Sequence, residues 1–128
     1  IAYMMDMMYS KSALEKQLDD HHYLLVEDNG EYLGYLSYEL NYKVSDLTKI
    51  HKIYVLPSLH GKGVGRFLIE SVGQIAQSKY NTELSLNVNR FNKAIDFYKK
   101  LGFEVMYSED IDIGNGFLME DYVMNKYL

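Results

Sequence analysis

The sequence predicts an α/β protein in which helices flank a mixed β-sheet of about six to seven strands. Three β-like runs follow one another before Pro57, the only proline of the chain. The apolar residues then recur at three- and four-residue spacing, as in a helix, before a short β-like run returns. Two β-like runs close the chain and are joined by the turn-forming segment Gly114-Asn115-Gly116. Together these observations predict an antiparallel meander, a parallel pair and a C-terminal hairpin.

The composition predicts a single cytoplasmic domain. The 128 residues are 48% hydrophobic, which is enough to build one core. A net charge of −5 argues against a nucleic-acid partner, and no stretch has the pattern of a membrane span or of a signal peptide. The lack of cysteine excludes disulfides and thiol chemistry and fits a reducing compartment. We therefore expect residues 1–128 to form one domain with no membrane partner.

Residues 1–18 carry a helical pattern that breaks near Ser10. Ser12 is a suitable cap for a second helical run over residues 13–18, because Glu15 stands at the capping-box spacing from it. The chain begins at Ile1, within the helical pattern. We therefore expect leading residues of the protein to be absent from this sequence.

The meander is predicted from a hairpin signal and from alternating side chains. Residues 23–28 form a β-like run that ends at Asn29-Gly30, a pair typical of two-residue hairpin turns. Residues 31–40 supply the return strand, and a polar turn around Ser45-Asp46 leads into a third strand over residues 47–56.

In the second half of the chain, the spacing of apolar residues alternates between a helical and a β-strand pattern. Apolar spacing predicts a helix over residues 64–79, followed by a strand over residues 83–88. A helical connection of this kind makes the strands that it joins parallel. A further helix is predicted over residues 92–101, with Gly102 as its C-cap, before strands over residues 103–110 and 117–128.

The glycine-rich segment HGKGVG, residues 60–65, lies between the third strand and the first of these helices. A Walker-type loop is excluded because Lys62 is followed by glycine, and a dinucleotide fingerprint is disfavoured because Arg66 stands where its third glycine belongs. Backbone amides at the start of a helix form an anion site. Lys62 and Arg66 lie at this positive end of the helix dipole, where cations are unfavourable, and so indicate a negative ligand. The alternative is that the glycines form only a tight turn.

Two segments, IYVLPSLHGKGVGRFLI and NVNRFNKAIDFYKKLGF, resemble the GCN5-related N-acetyltransferase (GNAT) superfamily, especially bacterial polyamine acetyltransferases. The pyrophosphate loop of that family reads Gln or Arg, two residues, Gly, any residue, Gly or Ala. His60, Gly63 and Gly65 occupy these positions, so the first departs from the pattern. The second segment matches the family at Asn92, Ala94, Tyr98, Gly102 and Phe103.

The resemblance implies acetyl-CoA as cosubstrate and a set of residues that bind it. The pantetheine arm would run along the backbone of Ile53, Tyr54 and Val55 as an added strand, where two parallel strands splay apart. Asn92 would direct its amide at the pantetheine, although an ordinary N-cap role is equally open. The pyrophosphate would rest on the loop residues His60, Gly61, Lys62, Gly63, Val64, Gly65 and Arg66.

The resemblance also assigns the proton transfers that amide formation requires. Tyr98 occupies the family position of a general acid beside the sulfur, although a core aromatic would show the same pattern. The glutamate that often serves as base corresponds to Lys49, and a lysine can replace it only with a strongly lowered pKa. His51 is the preferred base, because its strand parity matches that of Lys49, Ile53 and Val55 and imidazole suits neutral pH. Glu39 and an ordered water remain as alternatives.

No metal is expected, since His21-His22 and the other histidines lack the spacing or the carboxylate companions of a metal site. The family fold usually opens with a strand, which we expect among the missing leading residues. The strand over residues 23–28 would otherwise have an exposed edge that a second copy can cover in a homodimer.

The expected function is direct transfer of acetyl from acetyl-CoA to a primary amine of a small molecule, with polyamines as one class. Two alternatives stay open. The departures at Lys49 and His60 favour a non-catalytic acyl-CoA-binding module, and an amine on a protein or peptide is the other acceptor class that stays open.

Overall fold

The computed structural model of the chain describes residues 21–128. Its elements in chain order are β1 (His21–Asp28), β2 (Glu31–Glu39), β3 (Leu47–Val55), a 3₁₀ turn (Pro57–Leu59), α1 (Val64–Ser78), β4 (Glu83–Asn89), α2 (Ala94–Lys100), β5 (Glu104–Gly114) and β6 (Phe117–Tyr127). The described strands form one sheet in the order β1-β2-β3-β4-β6-β5. This arrangement confirms the predicted α/β fold with a mixed sheet, whereas the predicted helical runs before residue 21 lie outside the described residues. In the described part, no helix has both the length and the apolarity to cross a membrane.

The first three strands form the predicted antiparallel meander. Asn29 and Gly30 connect β1 to β2 with φ values of 52° and 82°, which is the left-handed backbone that a two-residue hairpin turn requires. β2 pairs antiparallel with β3 along its other edge.

The parallel pair in the middle of the sheet is short. β3 and β4 pair in register only from Leu47↔Glu83 to Ile50↔Leu86. Within the described sheet, β3 continues to Val55 and β4 to Asn89 without pairing to each other. The two strands therefore splay apart and leave a gap, which we call the sheet gap.

Two predicted boundaries differ from the structure for local reasons. The helix expected from residue 92 begins at Ala94, because the Asn92 side-chain oxygen accepts a hydrogen bond from the Ala94 N–H at 2.8 Å and so caps the first turn from outside. The C-terminal hairpin is longer than expected, since β5 runs to Gly114 opposite Phe117.

The strand parity expected for His51 is wrong, because β3 contains a bulge. Ser37 pairs with Lys52 and Tyr38 pairs with Ile50, so His51 is the extra residue. The bulge reverses the alternation along β3.

The two faces of the sheet differ in chemistry, and the register shows which residues share each face. Ile53 and Val55 pair with Leu36 and Gly34 on the face that α1 covers with Leu68, Ile69, Val72 and Ala76. We call this the core face. The opposite face, which we call the polar face, carries Glu39, Lys49, His51, Ser85, Asn87, Glu109, Asp121 and Asn125. Consequently Lys49 and His51 lie on the opposite face from Ile53 and Val55.

Candidate active site

The glycine loop leads into α1 at the end of β3. Gly61 and Gly63 have φ values of 80° and 87°, a left-handed backbone that glycine adopts without steric strain. A Cβ at either position would have no heavy atom within 4 Å, so this backbone faces open space. Gly63 is the N-cap residue of α1, whose first turn contains no acidic residue. The loop thus exposes main-chain amides at the positive end of a helix dipole.

The cations beside this loop are not equivalent. Lys62 is exposed, whereas Arg66 donates through Nε to Glu70 Oε2 at 3.1 Å, one helical turn away. The Glu70 carboxylate therefore offsets part of the positive charge that the sequence placed at the helix start.

His60 makes a contact that its sequence position did not predict. Its Nε2 lies 3.0 Å from the carbonyl oxygen of Val55. A carbonyl oxygen only accepts, so the imidazole must donate through Nε2. His60 therefore ties the loop to the end of β3, at one of the main-chain groups where the pantetheine arm was expected.

Gly65 brings the loop close to α2. A Cβ at this position would lie 3.1 Å from Phe97 Cζ, which is tighter than ordinary packing. The Phe97 ring in turn packs edge-on against Tyr98, with centroids 5.3 Å apart. The first turn of α1 and the expected general acid are consequently neighbours.

Tyr98 is the one buried residue of α2, with 7% of its surface exposed. Its ring also packs edge-on against Phe103 at 5.8 Å. Burial raises the pKa of the Tyr98 phenol, because the ionised form would lose its hydration. The hydroxyl therefore keeps its proton over a wide pH range.

On the polar face, the two residues that the sequence offered as alternative bases form one pair. His51 Nε2 lies 3.0 Å from Glu39 Oε1. His21 Nε2 lies 3.4 Å from the same oxygen, and its ring stacks on that of His51 with centroids 4.2 Å apart. The expectation that His21 lacks a carboxylate companion is therefore wrong, because strand pairing places it opposite Glu39.

The Lys49 side chain links β3 to β4 near the point where the two strands stop pairing. Its Nζ donates to Asn87 Oδ1, and Asn87 Nδ2 donates to Glu109 Oε1 at 3.0 Å and to Asp121 Oδ2 at 3.3 Å. Burial lowers the pKa of Lys49 and Lys43 lowers it further, whereas the carboxylates of Glu109 and Asp121 raise it. The amine lies in the glutamate position of the family pattern, but it is engaged with Asn87.

A cleft of about 420 Å³ opens on the polar face beside these groups. Its lining residues include Tyr42, Lys49, His51, Asn87, Tyr107 and Glu109. Asn87, Glu109 and Asp121 were not predicted as site residues, because only the strand order β4-β6-β5 brings them together. The available signal was local: Asn87 alternates with Leu86 and Val88 along β4, which places it on the face opposite to those apolar residues.

The structure therefore divides the expected site residues between two sides of the sheet gap. The glycine loop, Asn92 and Tyr98 belong to the side of α1 and α2, and Glu39 and His51 belong to the polar face. Ile53, Tyr54 and Val55 form the strand segment between them, where β3 has no β4 partner in the described sheet.

Three curated proteins resemble parts of this chain. An uncharacterized N-acetyltransferase of Methanocaldococcus jannaschii is 33% identical over 91 residues, which are 67% of this chain and 40% of that protein. The peptidyl-lysine N-acetyltransferase YjaB of Escherichia coli is 39% identical over 61 residues, covering 47% of this chain and 38% of the relative. The thialysine N-epsilon-acetyltransferase of Bos taurus is 37% identical over 73 residues, covering 55% of this chain and 43% of the relative. The chain thus spans about 40% of the length of the curated relatives that it matches.

A solved structure has the same fold at lower sequence identity. The PaiA N-acetyltransferase of Thermoplasma acidophilum, crystallised in complex with coenzyme A, aligns with a TM-score of 0.69 and 24% identity over 85% of this chain and 62% of its own. The model of the acetyltransferase (GNAT) family matches residues 2–103, which include the glycine loop and Tyr98. The chain therefore belongs to the GNAT family of acetyltransferases.

Proposed function

We propose that this chain transfers an acetyl group directly from acetyl-CoA to a primary amine. The observation that carries the proposal is the sheet gap between β3 and β4, with the glycine loop and Tyr98 on one side and the Glu39–His51 pair on the other. A thioester that enters from the loop side can meet an amine that enters from the polar face.

The cosubstrate is held mainly by the backbone. The loop amides of Gly61 and of Gly63 to Arg66 bind the pyrophosphate, since the positive end of α1 and an unobstructed main chain favour an anion there. The Lys62 N–H donates instead to the Leu59 carbonyl oxygen at 3.1 Å. The pantetheine arm pairs with the edge of β3 at residues 53–55, where β4 does not pair with it in the described sheet and His60 already contacts the Val55 carbonyl oxygen. Asn92 uses its oxygen to cap α2, which leaves its NH₂ group to contact the arm. The coenzyme A bound to the Thermoplasma acidophilum protein supports a CoA-based cosubstrate.

In the chemical step, the amine lone pair attacks the thioester carbonyl carbon, a C–N bond forms and the C–S bond breaks. The departing thiolate gains its proton from Tyr98, which burial keeps protonated before the thioester reacts. The amine must lose a proton to a base on the opposite side of the gap.

We assign the base role to His51, with Glu39 as its positioning residue. The carboxylate accepts a hydrogen bond from His51 Nε2, which leaves Nδ1 as the unprotonated nitrogen of the neutral ring. Lys49 does not replace the family glutamate in this scheme, because its Nζ donates to Asn87.

A small amine is the acceptor that the cleft fits best, and polyamines belong to this class. The cleft volume of about 420 Å³ suits a small molecule, and Glu109 offers a carboxylate to a second ammonium group. The name of the thialysine acetyltransferase among the relatives also indicates a small amine as its acceptor. A lysine side chain of a protein is the second candidate, supported by the peptidyl-lysine N-acetyltransferase of E. coli.

A thiol-release assay with acetyl-CoA tests the proposal against spermidine, thialysine and a lysine-containing peptide. We expect His51→Ala to lower kcat by about 100- to 10,000-fold, the usual contribution of a general base. His22→Ala is the matched control, since His22 pairs with Tyr38 on the core face and stacks on its ring at 5.2 Å. Binding of coenzyme A without thiol release for any amine would instead favour the non-catalytic acyl-CoA-binding module.

Cytoplasmic location and a homodimer stay predictions. In the described sheet β1 has only β2 beside it, so its outer edge is open to a strand from the N-terminal region or from a second copy.

A further inference from the structure

Three side chains from adjacent strands meet on the polar face: His21 on β1, Glu39 on β2 and His51 on β3. Each offers one nitrogen or oxygen atom, and these atoms all lie within 4.8 Å of one another. Both imidazole Nε2 atoms lie near the same carboxylate oxygen, Glu39 Oε1, at 3.4 Å for His21 and at 3.0 Å, as a hydrogen bond, for His51. The register of β1 and β2 and the bulge in β3 create this convergence.

The two His–Glu distances are close to the ligand–ligand distances of a tetrahedral metal site, and the ligand atoms of the two histidines lie within 4.8 Å of each other. Zinc binds nitrogen and carboxylate oxygen at about 2.0–2.2 Å, so two ligand atoms around it stand roughly 3.3 Å apart. The two His–Glu separations bracket this value before any ion is present. Two imidazoles with one carboxylate also form a donor set that suits zinc and leaves a fourth position for water or another ligand.

Exposure of the cluster allows an ion to enter and the rings to adjust. The side chains of His21, Glu39 and His51 are 40%, 20% and 23% exposed. The two rings are nearly parallel, at 6°, so one of them must rotate to direct its lone pair at a shared ion. The proton that His51 Nε2 donates to Glu39 must also move to Nδ1, because only an unprotonated nitrogen binds a metal. His21 is the more exposed ring and has room to do so. Of the two lysines on β3, Lys49 donates its Nζ hydrogen to Asn87, and Lys52 is exposed.

We propose that His21, Glu39 and His51 bind one zinc ion, and that the bound ion switches off acetyl transfer by occupying His51. Zinc binding is independent of the catalytic assignment. The switching effect rests on the proposed function, because it needs His51 to serve as the base.

Zinc affinity is measured on the metal-stripped chain by competition with a chromogenic chelator. We expect one zinc ion per chain in the wild type. Even the loss of a hydrogen-bond partner of a metal ligand typically weakens binding about 10- to 100-fold, so His21→Ala, Glu39→Gln and His51→Ala should each cost at least about 10-fold. His22→Ala, next to His21 but on the core face, should keep the wild-type affinity, and circular dichroism checks that each variant is folded.

A second measurement follows thiol release as zinc is added. The zinc concentration that halves the activity should rise at least about 10-fold in His21→Ala relative to the wild type, whatever the basal rate of the variant. The inference would be overturned if the wild type bound no zinc, or if all three ligand variants kept the wild-type affinity for zinc. Zinc binding in a chain that transfers no acetyl group would uphold the site and reject only the proposed activity, so the two failures are distinguishable.

Discussion

Tyr98 combines a buried ring with a hydroxyl to which we assign a proton transfer. Its neighbours Phe97 and Phe103 fix the ring edge-on, and 7% of the residue remains exposed. This burial raises the pKa of the phenol, which opposes ionisation. The same cause that holds the proton for catalysis therefore couples the folded state to pH.

The raised pKa predicts a loss of stability at alkaline pH. The folded chain binds the Tyr98 proton more tightly than the unfolded chain, whose tyrosine pKa is about 10. This contribution is complete below pH of about 10 and is lost as the pH rises through the folded-state value. Urea unfolding at pH 8 and pH 11 should show a smaller decrease in the free energy of unfolding for Tyr98→Phe than for the wild type.

Tyr80→Phe is the control for this measurement, because Tyr80 is 84% exposed and its removal should leave the alkaline decrease unchanged. An equal decrease in wild type and Tyr98→Phe would contradict the argument.

At the scale of elements, the loop before α1 depends on backbone that only glycine adopts at low cost. Gly61 and Gly63 have positive φ, and their open surroundings let a ligand approach the main chain. His60 fixes the same loop to Val55, so the departure from the family pattern has a structural reason. The loop is thus held to β3 by a side chain and presented to solvent by its backbone.

Gly63→Ala separates backbone strain from ligand binding. A non-glycine residue at φ 87° costs about 1–2 kcal/mol of folding stability, and the added methyl group stands where the pyrophosphate is proposed to rest. Gly116→Ala is the matched control, because Gly116 has φ 78° with equally open surroundings in the β5–β6 turn. Calorimetric titration with coenzyme A should show weaker binding only for Gly63→Ala. Equal affinities in the two variants would remove the loop from the proposed site.

At the scale of the whole molecule, the two parts of the sheet are joined by few contacts. β3 and β4 pair over only four register positions, so other groups must hold the closed end of the sheet gap. Asn81, 1% exposed, does this: its Oδ1 accepts from the Thr48 hydroxyl at 2.7 Å and from the Asn41 N–H at 3.2 Å, and its Nδ2 donates to Asn41 Oδ1 at 3.0 Å. One buried side chain thus links three segments of the chain.

Asn81→Ala should therefore destabilise the whole fold. It leaves the buried Thr48 hydroxyl without this acceptor, and each unsatisfied buried polar group costs about 1–3 kcal/mol. Thermal and urea unfolding measure the loss. Gln77→Ala, at an exposed position near the end of α1, should change stability by less than about 0.5 kcal/mol. A loss of similar size in both variants would show that Asn81 does not link the two parts.

Much of the fold was predictable because its signals are local. The Asn29-Gly30 turn and the change to helical spacing at Val64 each depend on a few adjacent residues, and the structure places the corresponding elements close to the expected bounds. The C-cap expected at Gly102 is Leu101 instead, and Gly102 follows it with φ 102°. The β3 bulge was not predictable in this way. No residue near His51 in the sequence indicates a bulge there, because the bulge depends on how β3 pairs with β2.

By itself, the sequence determined the order of the elements, the glycine loop and the position of Tyr98, because turn preference, apolar periodicity and motif spacing act over short distances along the chain. Only the tertiary structure decided that the imidazoles of His21 and His51 meet at one carboxylate oxygen of Glu39. The hydrogen bond from the Lys49 amine to Asn87 on the neighbouring strand was decided in the same way. These contacts join strands that are distant in sequence. Their geometry is set by strand register and by the bulge, which depend on the packing of the sheet as a whole.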